Sequence, residues 1–227
     1  MESLSRPLFV LLGPPGSGKG TQGKRLSQEF GLPIMSVGGM VRVFCDTHTD
    51  RMLCEEIRAR YEKGIPQPDE VVITIVRDYL TKHATSRGLI ADAFPLTLLE
   101  AEALTDMVAE YALDAPLVFF LSIDIDTATE RISHRKVCSE CSRTFTPSEA
   151  AYSAGICDAC GGALIIRPDD HPDIVRHRFE EYHTRLEEVR EYYEKRGGLH
   201  MLDATAPSEQ VYVTILEICA QKGYYPQ

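Results

Sequence analysis

Short apolar runs alternate with stretches of helical period along most of the chain. A continuous apolar run, PLFVLLG, lies near the start, and similar runs follow as LPIMS, GLIAD, APLVFFLSI and LHMLDA. Continuous apolar character is typical of strands that are buried on both faces. Stretches such as TQGKRLSQEFG separate them, with apolar residues at helical spacing and a closing glycine. This alternation predicts an α/β fold in which a doubly wound, five-stranded parallel sheet carries helices on both faces.

Two segments interrupt the alternation. Residues 38–64 predict two helices with no strand between them. Residues 138–167 are rich in Cys, Gly, Ser and Pro and lack a helical period, so they predict a small insertion of short strands. A helix is expected over residues 124–136, directly before this insertion.

Composition limits the classes of partner. The chain of 227 residues has a formal net charge of −10, which argues against binding to nucleic acid or to an anionic membrane. No apolar run approaches the roughly 18 residues of a membrane span, and the N-terminal segment lacks the basic start and cleavage site of a signal peptide. Together with the cysteine pattern discussed below, these features predict a cytoplasmic protein.

The segment GPPGSGKGT, residues 13–21, lies between the first predicted strand and a helix. Its glycines let backbone N–H groups turn toward phosphate oxygens, and Lys19 can reach the β- and γ-phosphates of a nucleotide. Glycines also serve tight packing, but glycines, lysine and hydroxyl in this context together favour a phosphate-binding P-loop. The candidate nucleotide-binding residues are Gly16, Ser17, Gly18, Lys19, Gly20 and Thr21.

Four of the seven cysteines form two C-x-x-C pairs, separated by fifteen residues. This spacing is typical of a tetrahedral structural Zn²⁺ site, and four thiolates would leave no open position for catalysis. The alternative is a set of buried or redox-active cysteines. The candidate metal ligands are Cys138, Cys141, Cys157 and Cys160.

Basic residues cluster on either side of the cysteine-rich insertion. Phosphoryl transfer needs positioned positive charge and exclusion of water, although most arginines on helices are simply solvated. Asp92, at the end of the third predicted strand, lies where ligands collect in an open α/β sheet. The basic candidates are Arg131, Arg135, Lys136, Arg167, Arg176 and Arg178.

The motifs GPPGSGKGTQ, SVGGMVR, PDEVVI, DAFPLT, RISHRKVC, CDACGG, RPDDHPDIVRHRF and YYEKRG occur in the order found in adenylate kinases, and the chain resembles that family over nearly its whole length. The resemblance implies a core formed by residues 1–35, 69–136 and 168–227. It also implies a monophosphate-binding insertion at 36–68 and a zinc lid at 137–167. The implied cofactors are ATP-Mg²⁺ and structural Zn²⁺.

The resemblance also implies roles for individual residues. Arg131 matches the residue that covers the donor adenine, and Asp92 matches the one that holds water on Mg²⁺. Lys19 bridges the donor phosphates. Two acids, Asp169 and Asp170, match a pair that orients the lid arginines. The arginines that clamp the phosphates when the lid closes correspond to Arg135, Arg167 and Arg178.

The acceptor half departs from the family pattern. Its turn normally reads Asp-Gly-Phe-Pro-Arg-Thr, with an arginine that grips the α-phosphate of AMP, but here Ala93 and Leu96 replace the glycine and the arginine. Glu100 replaces a glutamine that reads adenine, and it could accept hydrogen bonds better from guanine. Arg42 is retained. Other substitutions in this half are Val37, Gly39, Pro66 and Gln67.

Three hypotheses follow. The first is an ATP-dependent nucleoside-monophosphate kinase, ATP + AMP to 2 ADP, which is expected to be a monomer acting on small nucleotides and whose acceptor affinity or specificity has changed. The second is an ATP-binding, zinc-stabilised sensor or interaction protein that is weak or inactive as an enzyme. The third is a kinase for another acceptor, such as a guanine nucleotide or a non-nucleotide.

Overall fold

The computed structural model describes residues 5–47, 51–62, 65–83, 87–141, 143–166, 170 and 172–226. The strands are β1 (Leu8–Leu12), β2 (Ile34–Ser36), β3 (Leu89–Asp92), β4 (Leu117–Ser122), β5 (Lys136–Cys138), β6 (Thr144–Phe145), β7 (Leu164–Ile165) and β8 (Leu199–Asp203). The helices are α1 (Lys19–Phe30), α2 (Val37–Thr47), α3 (Arg51–Glu62), α4 (Asp69–His83), α5 (Leu98–Glu110), α6 (Ile125–Ser133), α7 (Ala150–Ala154), α8 (Pro172–Glu194) and α9 (Ser208–Gln221).

Five parallel strands form the central sheet in the order β2-β3-β1-β4-β8. Alternate residues of β1 point to opposite faces, as the strand period requires. Val10 packs into a core that contains residues of α4, α5 and α8, whereas Phe9 packs into one that contains residues of α1, α6 and α9. The two buried faces confirm the doubly wound parallel sheet predicted from the sequence.

Both interrupting segments have small cores of their own. The side chains of Val41, Phe44, Cys54 and Ile57 on α2 and α3 pack against Ile75 of α4. The cysteine-rich segment forms an antiparallel sheet in the order β6-β5-β7, and Phe145 is buried beside two of the cysteines. Each insertion therefore buries a cluster apart from the two faces of the main sheet.

The sequence prediction was wrong at two places near this second insertion. The helix expected over residues 124–136 is α6, which ends at Ser133 because Lys136 and Val137 pair with β6. The short helix α7 was not predicted, and its five residues are too few for a periodic pattern to show. Within the described ranges, no helix combines the length and the apolar character needed to cross a membrane.

Candidate active site

The phosphate loop connects the buried strand β1 to α1. Gly16 and Gly18 have positive φ angles of 83° and 92°, a backbone region that glycine adopts readily. A Cβ at Gly16 would also lie 2.8 Å from the carbonyl oxygen of Ala128, so the loop needs glycine there for space as well. The resulting turn directs the N-terminus of α1, including Gly20 and Thr21, toward the carboxyl edge of the sheet.

Lys19 is the first residue of α1, and its side chain folds over the loop. Its Nζ donates to the carbonyl oxygens of Gly13 at 2.6 Å and Pro14 at 2.9 Å, and lies 3.5 Å from Oγ of the buried Ser17. The pKa of Lys19 is lowered to about 8, mainly by burial and also by the charges of Arg178 and Arg135, while the charge of Asp92 opposes this shift. Three basic side chains therefore lie close enough to influence one another, beside one acid.

Asp92 ends β3 at the carboxyl edge of the sheet. It pairs in register with Leu11 of β1 and with Ser36 of β2. A Cβ added at Gly20 would lie 3.9 Å from its Oδ2, so the carboxylate approaches the N-terminal turn of α1. This arrangement places an acid beside the phosphate loop at the position where an open α/β sheet collects ligands.

The arginines beside the lid are held in place by several partners. Nε of Arg135 donates to Oδ2 of Asp170 at 2.6 Å, its second terminal nitrogen donates to Oδ1, and the Asp170 carboxylate is buried. Burial raises the pKa of Tyr182, and the charge of nearby Arg178 opposes that shift. Arg131 lies farther along the edge, where it donates to Ala204 O at 2.7 Å.

Two of the candidate residues near the cysteine-rich insertion, Arg167 and Asp169, lie outside the described residues. Arg176 is exposed on α8, and Lys136 donates from β5 to the carbonyl oxygen of Tyr152 at 3.2 Å, within the lid. The positive charges that influence Lys19 therefore come from Arg135 and Arg178 within the part of the chain that can be described.

The acceptor turn follows directly from Asp92. Ala93 has a φ angle of 57°, and its N–H donates to Leu11 O at 3.1 Å. The Leu96 side chain is partly buried against the core. Glu100 is only 3% exposed, and its Oε2 accepts the backbone N–H of Leu96 at 2.6 Å, while Thr97 caps α5. Glu100 therefore stabilises the conformation of the turn, a role that the sequence alone does not reveal.

The remaining acceptor candidates lie around α2, α3 and the start of α4. Val37 begins α2 and packs on the core. The carbonyl oxygen of Pro66 accepts from Arg60 at 2.7 Å, and Nε2 of Gln67 donates to the carbonyl oxygen of Ile57 at 2.9 Å. Arg42 lies on α2, but its side chain is outside the described part of the structure.

The four cysteines converge in the small sheet. Their Sγ atoms all lie within 4.8 Å of one another, with Cys138 to Cys160 at 3.3 Å and Cys141 to Cys157 at 3.7 Å. A tetrahedral site with Zn–S bonds near 2.3 Å separates its sulfur atoms by about 3.8 Å. A Cβ at Gly162 would lie 2.7 Å from Cys138 Sγ, so this knuckle requires glycine. The cluster can therefore hold a metal ion.

The comparisons with known proteins agree with this geometry. The adenylate kinase family model matches residues 11–198. The chain is 34% identical to an adenylate kinase of Thermodesulfovibrio yellowstonii, with 94% of this chain and 99% of the relative covered. It is 36% identical to one of Archaeoglobus fulgidus (91% and 95% covered) and 35% identical to one of Bacillus subtilis (92% and 96% covered). The chain belongs to the adenylate kinase family.

Membership in the adenylate kinase family makes the protein a nucleoside-monophosphate kinase, an enzyme that acts on small nucleotides. It also implies ATP with Mg²⁺ as the phosphoryl donor. Phosphoryl transfer proceeds with charge spread over the transferred group, so positioned cations carry most of the catalysis. The basic cluster of Lys19, Arg135 and Arg178 suits that requirement.

One polar residue beside Lys19 was not predicted from the sequence. Tyr182 lies on α8 with its ring 5.9 Å from Lys19 Nζ, and burial raises its pKa. Tyr182 follows Arg178 by one helical turn, so the spacing i, i+4 was the available indication.

Glu100 gives the acceptor turn a measurable pH dependence. Burial raises its pKa from 4.5 to about 7, so the folded protein binds this proton more tightly than the unfolded chain does. The free energy of unfolding should fall as the pH rises through that interval, because the ionised carboxylate is poorly solvated in the fold. Glu100→Gln keeps an acceptor for the Leu96 N–H but cannot ionise. Its stability relative to wild type should increase by about 2 kcal/mol between pH 5 and pH 8.

Denaturant unfolding at the two pH values measures this difference. Glu102→Gln is the matched control, because it removes an exposed carboxylate from the same helix. An equal stability difference for Glu100→Gln at both pH values would mean that Glu100 ionises normally in the folded protein.

Proposed function

We propose that this enzyme transfers the γ-phosphoryl group of ATP-Mg²⁺ to a nucleoside monophosphate, with an altered affinity for the acceptor or an altered base preference. With AMP as the acceptor, the reaction is ATP + AMP to 2 ADP. The observation that carries the proposal is the basic cluster of Lys19, Arg135 and Arg178 around the phosphate loop of a chain whose net charge is −10. Such local positive charge in an acidic protein favours a highly charged anionic ligand.

The donor site comprises the loop glycines with Ser17, Lys19 and Thr21, and Arg131 at the adenine end. Bound Mg²⁺ would supply electrophilic stabilisation of the phosphates, and Asp92 is the acid placed to hold its water shell. Arg135, kept in place by Asp170, and Arg178, one turn before Tyr182 on α8, position the transferred group. Arg167 is assigned to the same group on family resemblance alone.

The acceptor site lies on the other side of Asp92. Its residues are Val37, Arg42, Pro66, Gln67, Ala93, Leu96 and Glu100. Leu96 provides no charge for a phosphate, and Glu100 is committed to the backbone of the turn. Loss of one charge-assisted hydrogen bond weakens binding by about ten- to a hundredfold. We therefore expect the acceptor half to differ from that of the relatives in its affinity for the acceptor or in its base preference. A guanine nucleotide is the alternative acceptor.

A side-by-side measurement with the Bacillus subtilis relative tests this change. At saturating ATP, we expect the chain to have a lower kcat/KM for AMP, while the KM values for ATP agree within a few-fold. GMP in place of AMP tests the guanine alternative. Equal efficiency with AMP in the two proteins would show that the acceptor half is unchanged in function.

We further infer a division into a core (1–35, 69–136 and 168–227), a monophosphate-binding insertion (36–68) and a zinc lid (137–167). The two separate small clusters on α2–α3 and around the cysteines support this division. A monomer in the cytoplasm is the expected state, in keeping with thiols that remain reduced.

The lid should bind one zinc ion through its four cysteines. Purified protein is expected to contain one zinc per chain, Cys141→Ser should lose it, and Cys45→Ala should keep it, because Cys45 lies in the α2–α3 cluster. Removal of the metal should lower the melting temperature, since the lid has few other buried contacts. Protein that contains no zinc and takes none up on refolding would refute this assignment.

The alternative function is an ATP-binding sensor that does not turn over. It predicts ATP binding without monophosphate-dependent ADP formation. Retention of the ordered Arg135–Asp170 pair beside the phosphate loop favours the enzyme, because a binding module has no need of positioned lid arginines.

A further inference from the structure

One side of α8 faces the nucleotide site. Arg178, Tyr182 and Arg185 follow at intervals of four and three residues, so they lie on the same side of the helix. The first two reach the donor site, since Arg178 influences the pKa of Lys19 and the Tyr182 ring lies 5.9 Å from Lys19 Nζ. Arg185 is one turn farther along and is partly buried.

The packing of α8 on α5 fixes where Arg185 lies. Thr105 Oγ1 and the Tyr192 hydroxyl are 2.8 Å apart, which sets the register between the two helices. Both helices run antiparallel to the strands, because α5 follows β3 and α8 precedes the parallel strand β8. Glu100 precedes Thr105 by five residues and Arg185 precedes Tyr192 by seven, so both lie within about two turns of this contact and on the same side of it along the helices. Arg185 therefore faces the acceptor turn, and its charge acts on the Glu100 carboxylate.

The surroundings of this guanidinium are acidic. Glu100 interacts with the charges of Asp69 and Arg185, and Asp92 lies at the start of the same turn. No hydrogen bond or salt bridge between described residues occupies the Arg185 guanidinium. Leu96 donates its backbone N–H to Glu100, and its side chain is uncharged. A monophosphate bound beside this turn would meet acids on the turn and a cation on α8.

We propose that Arg185 binds the phosphate of the acceptor and thereby supplies, from α8, the positive charge that the turn lacks at Leu96. The inference rests on the proposed function, because it assumes that the pocket beside Asp92 accepts a monophosphate. It makes Arg185 a substrate-binding residue of the acceptor half. The side of α8 that carries Arg178 and Arg185 then serves both halves of the site, because Arg178 binds donor phosphates and Arg185 binds the acceptor phosphate.

Arg185→Leu tests the assignment. The KM for the best acceptor should rise by about ten- to a hundredfold, while kcat and the KM for ATP change by less than about twofold. Arg185→Lys should retain part of the affinity. Arg190→Gln is the matched control on the same helix, because Arg190 pairs with Glu187 and should leave all three parameters unchanged.

A rescue variant separates binding from a structural role. Adding Leu96→Arg to Arg185→Leu should lower the acceptor KM again by about tenfold, since the two side chains would serve the same phosphate. If Arg185 only offsets the charge of Glu100, Arg185→Leu would alter the pH dependence of stability and leave the acceptor KM unchanged. That result would overturn the inference.

Calorimetric titration with AMP and with GMP distinguishes failure of this inference from failure of the proposed function. If wild type binds a monophosphate without turning over, the kinase function fails, and Arg185→Leu must still weaken that binding for the inference to stand. If wild type turns over and Arg185→Leu keeps its acceptor KM, the inference alone fails. If wild type binds neither monophosphate, both fail.

Discussion

Replacement of Lys19 by Met should lower kcat/KM by about a hundred- to a thousandfold with every acceptor. Met preserves an unbranched apolar stem of similar reach but removes the ammonium group, which donates to the Gly13 and Pro14 carbonyl oxygens and is one of three cations in the cluster. The loss should be independent of the acceptor, because Lys19 acts on the donor phosphates. Initial rates with AMP and GMP would measure it.

Lys24→Met is the matched control for this variant. Lys24 is exposed on the same helix, so the substitution changes the net charge equally and should leave kcat/KM within about twofold. Thermal unfolding would establish that both variants are folded. A folded Lys19→Met protein that keeps half of the wild-type activity would show that the phosphate loop is not the donor site.

Leu96→Arg should raise kcat/KM for AMP by about ten- to a hundredfold. The side chain begins at the acceptor turn and is only partly buried, so a guanidinium can extend into the pocket without leaving a large cavity behind. The gain should be larger in the Arg185→Leu background, where no other cation from α8 serves the phosphate.

Leu99→Arg is the control for added charge. Leu99 is 46% exposed on the first turn of α5, so the new arginine adds the same charge nearby but outside the turn. It should change kcat/KM for AMP by less than about threefold at physiological ionic strength. Unchanged or lower efficiency in a folded Leu96→Arg variant would indicate that the acceptor site has been rebuilt for another acceptor.

The sequence was sufficient to predict the sheet and both insertions. Buried parallel strands such as β1 read as unbroken apolar runs, and P-loop glycines and paired cysteines have fixed local spacing, so the information is contained in short segments. The same reasoning failed where pairing across the chain decides the outcome. The sequence of residues 134–136 is compatible with a continuing helix, but Lys136 pairs with Phe145 of β6 instead.

The acceptor half was the least predictable from sequence. Glu100 looked like a base-reading residue, but its burial and its contact with the Leu96 N–H depend on how α5 packs against the core. Arg185 has no local motif, and only the register of α8 on α5 places it beside the turn. Contacts of this kind join residues about 85 positions apart, beyond the reach of local patterns.

The most direct test of the account is the rate of ADP formation from ATP-Mg²⁺ across a panel of nucleoside monophosphates. We expect ADP formation that depends on at least one monophosphate and that falls about a hundredfold or more in Lys19→Met. ATP binding with no monophosphate-dependent ADP formation from any member of the panel would contradict it.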